Sequence, residues 1–201
     1  MSDRHLRPLS ALTGLAIPGR YGKAAGEPGV TSVERSGLGL ATVAARRGAP
    51  LRGGVKASYG VNLPDGSAVG QGPEGSFVGY GPGQWLAVSE ALAGDGLARD
   101  LAQRLKGLAS ISDQSGGRTV LRVSGPRARD VLAKGLPIDL HPRAFAPGSA
   151  ATSAIALMGV QLWQIDDTPS YDIALFRSLS VSFWRWLASS AAEFGYEVTT
   201  S

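Results

Sequence analysis

The residues able to do acid-base, nucleophilic or metal chemistry are few in this chain, and their spacing decides what they can do. Two histidines, His5 and His141, and no cysteine leave any metal centre resting on carboxylates; a thiol nucleophile, a thiolate zinc site and disulfides are ruled out. His141 stands between Leu140 and Pro142 in a proline-rich stretch. That setting suits a loop-packing residue better than a general base, and no G-x-S-x-G elbow supplies a serine for it to activate. Asp166-Asp167 is followed by Thr168-Pro169, so the paired acids read as the polar tip of a hairpin rather than half a metal site. No H-E-x-x-H, EF-hand loop or histidine-carboxylate cluster occurs. Phosphate cradles fail too. GLGLAT at 37–42 has two glycines of a dinucleotide fingerprint but Thr42 at the third small position, and GYGPGQW at 79–85 is interrupted by Pro82.

What remains is positive charge. Residues 99–134 hold eight basic residues against Asp100, Asp113 and Asp130. Arg118 and Arg122 share one strand face, and Arg127 and Arg129 fall in the first turns of the helix that follows. Such a patch suits a carboxylate-rich ligand, an acidic subunit or, least well because no aromatics interleave it, nucleic acid; a solvated face with local ion pairs is the plain alternative. Trp184-Arg185-Trp186 is the second feature: Trp186 reads as core and Trp184, on the opposite flank, as an interface anchor.

The elements that must hold these residues follow from composition and pattern. Of 201 residues 43% are hydrophobic and 18% charged, with a net charge of +4, which excludes a disordered polyelectrolyte and a long coiled coil. The length allows one large domain or two small ones sharing a core. Glycine is unevenly spread, with twenty in the first hundred residues and eight after. The stretch from Leu9 to Ile17 is diluted by Ser10, Thr13 and Gly14 and ended by Pro18-Gly19; it reads as an irregular arm rather than a signal peptide, which makes the cytoplasm the default compartment. No window reaches the ~18 apolar residues of a membrane span.

From 30 to 83 the pieces GVTSVERSGLGLATVAA, GVKASYGVNLPDG and GSFVGYGPG predict short strands and long turns. After 83 the pattern becomes regular. It predicts a strand at 85–88 and a helix opened by Asp95 as N-cap, with Leu97, Leu101 and Leu105 on one face. A hairpin of strands 109–113 and 118–124 comes next, then a helix with Pro126 at N1 and Gly135 at its end. A loop through Pro137, Pro142 and Pro147 leads to a second hairpin, 160–165 with 171–176, and a last helix at 178–194. The expected fold class is α+β: mixed, largely antiparallel sheets with helices packed on one side, in two small, intimately packed subdomains at 1–83 and 84–201.

Read in order, residues 112–149 (SDQSGGRTVLRVSGPRARDVLAKGLPIDLHPRAFAPGS) resemble the signature of the gamma subunit of heterotetrameric sarcosine oxidase. RSLSVSFWRWLASSAAEFG at 177–195, GPGQWLAVS at 81–89 and RPLSALTGL at 7–15 are similar to further segments of that family, whereas residues 19–79 match none of its motifs. Ser149 departs from the Cys that many members carry. The Asp-x-Ser, strand, Ser-Gly-Pro-x-Ala pattern is shared more loosely with the folate-binding aminomethyltransferases, implying a fold related to the glycine cleavage T protein. The resemblance implies a complex that demethylates sarcosine oxidatively to glycine, releasing hydrogen peroxide and delivering the one-carbon unit as formaldehyde or to tetrahydrofolate. It implies FAD, FMN and NAD in the alpha and beta subunits, zinc in the delta subunit, and no cofactor in this chain.

Asp113 and Ser115 are expected to fix a turn through side-chain hydrogen bonds. Arg118, Arg129, Asp139, His141, Arg177 and Trp184 are the expected contacts to alpha, beta or delta partners. No catalytic, cofactor-binding or metal-binding residue is assigned, and neither nucleic acid nor membrane is expected as a partner. Two other readings stand beside this one: a free-standing folate-binding protein whose basic patch receives the glutamate tail of tetrahydrofolate, and a homo-oligomer when isolated.

Overall fold

The computed structural model describes residues 9–23 and 26–200; His5 and the start of the RPLSALTGL segment lie outside them. Two sheets stack face to face, and each carries helices on its outer side only. The seven-stranded sheet runs in the order β1 (Gly19–Tyr21), β12 (Tyr196–Thr199), β2 (Val30–Glu34), β8 (Arg118–Ser124), β11 (Ser170–Phe176), β10 (Met158–Asp166), β9 (Ala150–Ile155). Only the β12–β2 pair is parallel. The five-stranded sheet runs β4 (Val69–Gly72), β5 (Gly75–Gly81), β6 (Gln84–Ser89), β3 (Gly39–Ala45), β7 (Ala109–Asp113), antiparallel throughout.

Alternation along the strands sorts side chains into three apolar layers. Leu121, Val123, Ile173 and Leu175 point outward and meet α3 (Ala128–Ala133) and α4 (Ser180–Ala191) through Val131, Leu132, Phe183 and Leu187. Val43, Phe77, Trp85 and Ala87 of the other sheet meet α1 (Leu51–Tyr59) and α2 (Gly96–Arg104) through Val55, Tyr59, Leu97 and Leu101. Between the sheets lie Leu40, Val78, Leu86, Val120, Trp163 and Ala174. β8 and β11 are therefore covered on both faces, and nearly all their residues are buried.

Three expectations are corrected. The GVKASY piece is helical: Leu51, Val55 and Tyr59 recur every four residues and are all buried, and Gly60, in the left-handed region at φ 67°, ends the helix. Gly53-Gly54 disguised it, since glycine is a poor helix former, but Gly54 is needed where Leu108 passes: a Cβ there would lie 2.4 Å from Leu108 Cδ1. Residues 109–124 form no hairpin. β7 pairs with β3 and β8 with β2 and β11, so the turn at 114–117 carries the chain from one sheet to the other. Even the Arg118–Arg122 face of strand 118–124 is covered, with Val120 between the sheets and Arg122 held by Asp172, so the strand lies in the centre of a two-layer stack rather than at an edge. Asp95 precedes α2 but makes no side-chain cap; its carboxylate takes a 2.6 Å hydrogen bond from Arg99 one turn on. β9 and β12 escape the sequence pattern altogether, being short and rich in Ala, Ser, Thr and Glu. Strands from before and after residue 83 share both sheets, and 83–84 itself falls at the β5–β6 connection.

Candidate functional site

Arg118 opens β8 directly across from Phe176, the last residue of β11. Its guanidinium carbon lies 4.8 Å from the Phe176 ring centre and 5.5 Å from that of Tyr80, which reaches over from the five-stranded sheet at a bulge between Gly79 and Gly81. The residue is only 7% exposed, and its Nε has no acceptor. No carboxylate among the described residues pairs with it. Phe176 by contrast is half exposed.

The turn before Arg118 is built by Asp113 and Ser115. Asp113 Oδ1 accepts from Ser115 N at 3.0 Å and lies 2.8 Å from Ser115 Oγ. The same hydroxyl oxygen accepts from Leu40 N at 3.0 Å and sits 2.7 Å from the Gly94 carbonyl, so one serine joins the turn to β3 and to the loop before α2. Arg177 completes the group. Its backbone N–H donates to the Gly117 carbonyl at 2.9 Å, and its guanidinium donates to the Leu9 carbonyl, fastening the N-terminal arm. A cleft of about 110 Å³ lies here, with Leu9, Glu34, Ser115, Arg118 and Arg177 in its lining. Four of the eight expected site residues thus converge where the chain crosses between sheets.

The other four are scattered. Arg129, on α3, lies beside the hydroxyl of fully buried Tyr171; burial raises the phenol's pKa and the Arg129 charge opposes the rise. Asp139 and His141 form an exposed local turn in the loop after α3, with His141 N donating to Asp139 Oδ1 at 2.8 Å and Arg143 N to His141 Nδ1 at 3.2 Å. Trp184 corrects the expectation of an anchor: it is 8% exposed and packs its ring edge-on to Tyr196 at 6.5 Å. The short 3₁₀ turn Ala192–Phe194 and β12 bring the chain back over that flank of α4, which a helical wheel cannot show. Trp186 is the partly exposed one, resting on Phe183 and on Gly135, where a Cβ would come within 2.8 Å of its ring.

Sequence reasoning missed an ionic cluster at the seam of the sheets. Asp172, on β11, accepts from Arg122 Nε at 2.7 Å and Nη2 at 2.8 Å and from Arg35 Nη1 at 3.0 Å; Arg35 also pairs with Glu90. The Asp172 side chain is 5% exposed. Its hydrogen bond with Arg122, the largest influence on that guanidinium, raises the already high Arg122 pKa. A cleft of about 330 Å³ opens beside the cluster, lined also by Val69 and Trp163. The available signal was an acid set between Tyr171 and Ile173 in an apolar strand, because a buried acid demands a cation. Every member here is paired, so the arrangement ties the layers together. Among the described residues no group of three or more His, Asp or Glu is placed to hold a metal ion, and no helix is long and apolar enough to cross a membrane.

Residues 47–193 match the model of the sarcosine oxidase gamma subunit family. The sarcosine oxidase subunit gamma of Corynebacterium sp. (strain P-1) is 35% identical over 174 residues, 83% of each chain. That of Corynebacterium sp. (strain U-96) is 32% identical over 188 residues, 90% of this chain and 88% of the relative. A chain of the heterotetrameric sarcosine oxidase from Corynebacterium sp. U-96, solved in complex with pyrrole 2-carboxylate, superposes with a TM-score of 0.75 at 31% identity, covering 85% of this chain and 87% of that one. The glycine cleavage system aminomethyltransferase T from Bartonella henselae shares the fold, with a TM-score of 0.61 at 15% identity over 86% of this chain and 48% of that one.

Proposed function

Since this chain belongs to the sarcosine oxidase gamma subunit family, we propose that it serves a heterotetrameric sarcosine oxidase as a non-catalytic assembly subunit. The observation that carries the reading is the match over 85% of its length to a chain of such a complex. Within it, alpha, beta and delta subunits are the partners. FAD, FMN and NAD belong to alpha and beta and zinc to delta, and the assembly converts sarcosine to glycine with hydrogen peroxide and formaldehyde or methylenetetrahydrofolate as products. The cytoplasm is the proposed location. Arg118 and Arg177 are the proposed contacts, with Asp113 and Ser115 holding the turn behind them. Arg129 and the exposed Asp139–His141 loop are a second contact region, and Trp184 supports the fold from within.

Co-expression with the three other subunits tests this. The expected outcome is a stoichiometric complex with flavin absorbance and sarcosine-dependent peroxide release, neither of which the chain gives alone; failure to co-purify overturns the proposal. The likeness to an aminomethyltransferase concerns the fold alone and leaves a free-standing folate-binding protein as the rival. Micromolar tetrahydrofolate binding by the isolated chain, lost on Arg118→Ala, would favour that rival.

A further inference from the structure

Arg118 is a buried cation without a counter-charge among the described residues. Arg35 and Arg122 share Asp172, and Arg104 is held by Asp100 and Glu74; half-buried Arg129 and Arg177 have no carboxylate among the described residues but lie against the Tyr171 hydroxyl and the Leu9 carbonyl. Arg118 lies between two aromatic rings, and its buried Nε has no acceptor among the described residues. Stacking recovers part of the cost of taking a guanidinium out of water, but it leaves the buried Nε–H unsatisfied, because rings occupy the faces and not the edge. Its neighbour on the same strand face, Val120, is apolar, so the position would accept an apolar side chain. The charge is kept at a cost to the isolated chain.

The surroundings indicate what would satisfy it. Half-exposed Phe176 flanks it, and Leu9, 67% exposed, lies on the nearby arm. An arginine fixed between aromatics at an apolar rim is the composition of a protein-protein hot spot. The adjoining cleft, at about 110 Å³, admits the end of a side chain and falls short of the several hundred Å³ that a small-molecule ligand fills. Building on the gamma-subunit reading above, we infer that Arg118 receives the carboxylate of an Asp or Glu side chain from another subunit of the complex, with Phe176 as the apolar contact beside it. The planar fork donates to both carboxylate oxygens, and the two rings hold it in place before the partner arrives.

Arg118→Met separates this from a structural role, because it removes an unpaired buried charge while keeping the stem. The isolated chain should melt at the same temperature or higher, while its affinity for the remaining subunits falls roughly ten- to a hundredfold. In Arg118→Lys complexes a zero-length carbodiimide should join the new amine to an Asp or Glu of another subunit, mapped by mass spectrometry. Unchanged affinity of Arg118→Met, its failure to fold, or cross-links confined to this chain each overturn the inference. So does tetrahydrofolate binding by the wild-type chain that disappears in Arg118→Met. Failure of the wild-type chain to assemble overturns the subunit reading itself, and it is seen before any variant is made.

Discussion

Asp172 satisfies two arginines from different parts of the chain, and its loss exposes how much the seam depends on it. Asp172→Asn leaves Arg35 and Arg122 without their shared carboxylate in a place that is 5% exposed; the expected cost is about 3–5 kcal/mol, read as a lower urea midpoint at unchanged slope. Tyrosines set the alkaline limit. Burial is the largest cause of raised pKa values at Tyr59, Tyr171 and Tyr196, and Tyr59 also donates to Asp100 Oδ2 at 2.7 Å. An unfolded tyrosine ionises near pH 10, whereas these three hold their protons in the folded state. The folded chain therefore binds more protons above that pH, and stability, full below pH ~10, falls as pH rises further. Urea midpoints between pH 8 and 11 check this, and Tyr59→Phe should flatten the fall.

At the scale of elements, α1 shows why glycine misleads a reader of sequence. Its two glycines do different things: a Cβ at Gly53 meets nothing within 4 Å, while one at Gly54 meets Leu108 at 2.4 Å. Gly53→Ala should therefore raise stability by about 0.5–1 kcal/mol, and Gly54→Ala should gain less or lose, as thermal melts of the two variants would show. The glycine-rich front of the chain follows the same logic. Gly39 and Gly79 sit where a Cβ would come within 1.8 Å of the carbonyl oxygens of Leu92 and Gly66, so these glycines permit close packing of strands against loops. α4 was legible as a broadly apolar helix, but which of its tryptophans would be covered depended on β12, which pairs in parallel with β2 far back in the chain.

The whole molecule is two sheets that borrow strands from each other's stretch of chain. β2 and β3 enter different sheets within a few residues, and so do β7 and β8. Unfolding should accordingly be one cooperative transition, with tryptophan fluorescence and far-UV circular dichroism coinciding in urea, and a fragment 84–201, lacking β2, β3 and β5, should remain unfolded in isolation. Sequence alone determined the α+β class, the limits of β7 and β8, the existence of the 170s hairpin, the helical character of 96–104 and 180–191, and the family resemblance. These rest on local periodicity, turn residues and motif spacing, which neighbours in sequence decide. Tertiary structure alone decided the sheet crossing at Ser115, the burial of Trp184 and the exposure of Trp186, the Asp172 cluster, and the isolation of Arg118 between Tyr80 and Phe176. Each depends on residues that meet across tens of positions or more, as Arg35 and Asp172 do across 137, and no local pattern records which distant strand will come to lie opposite.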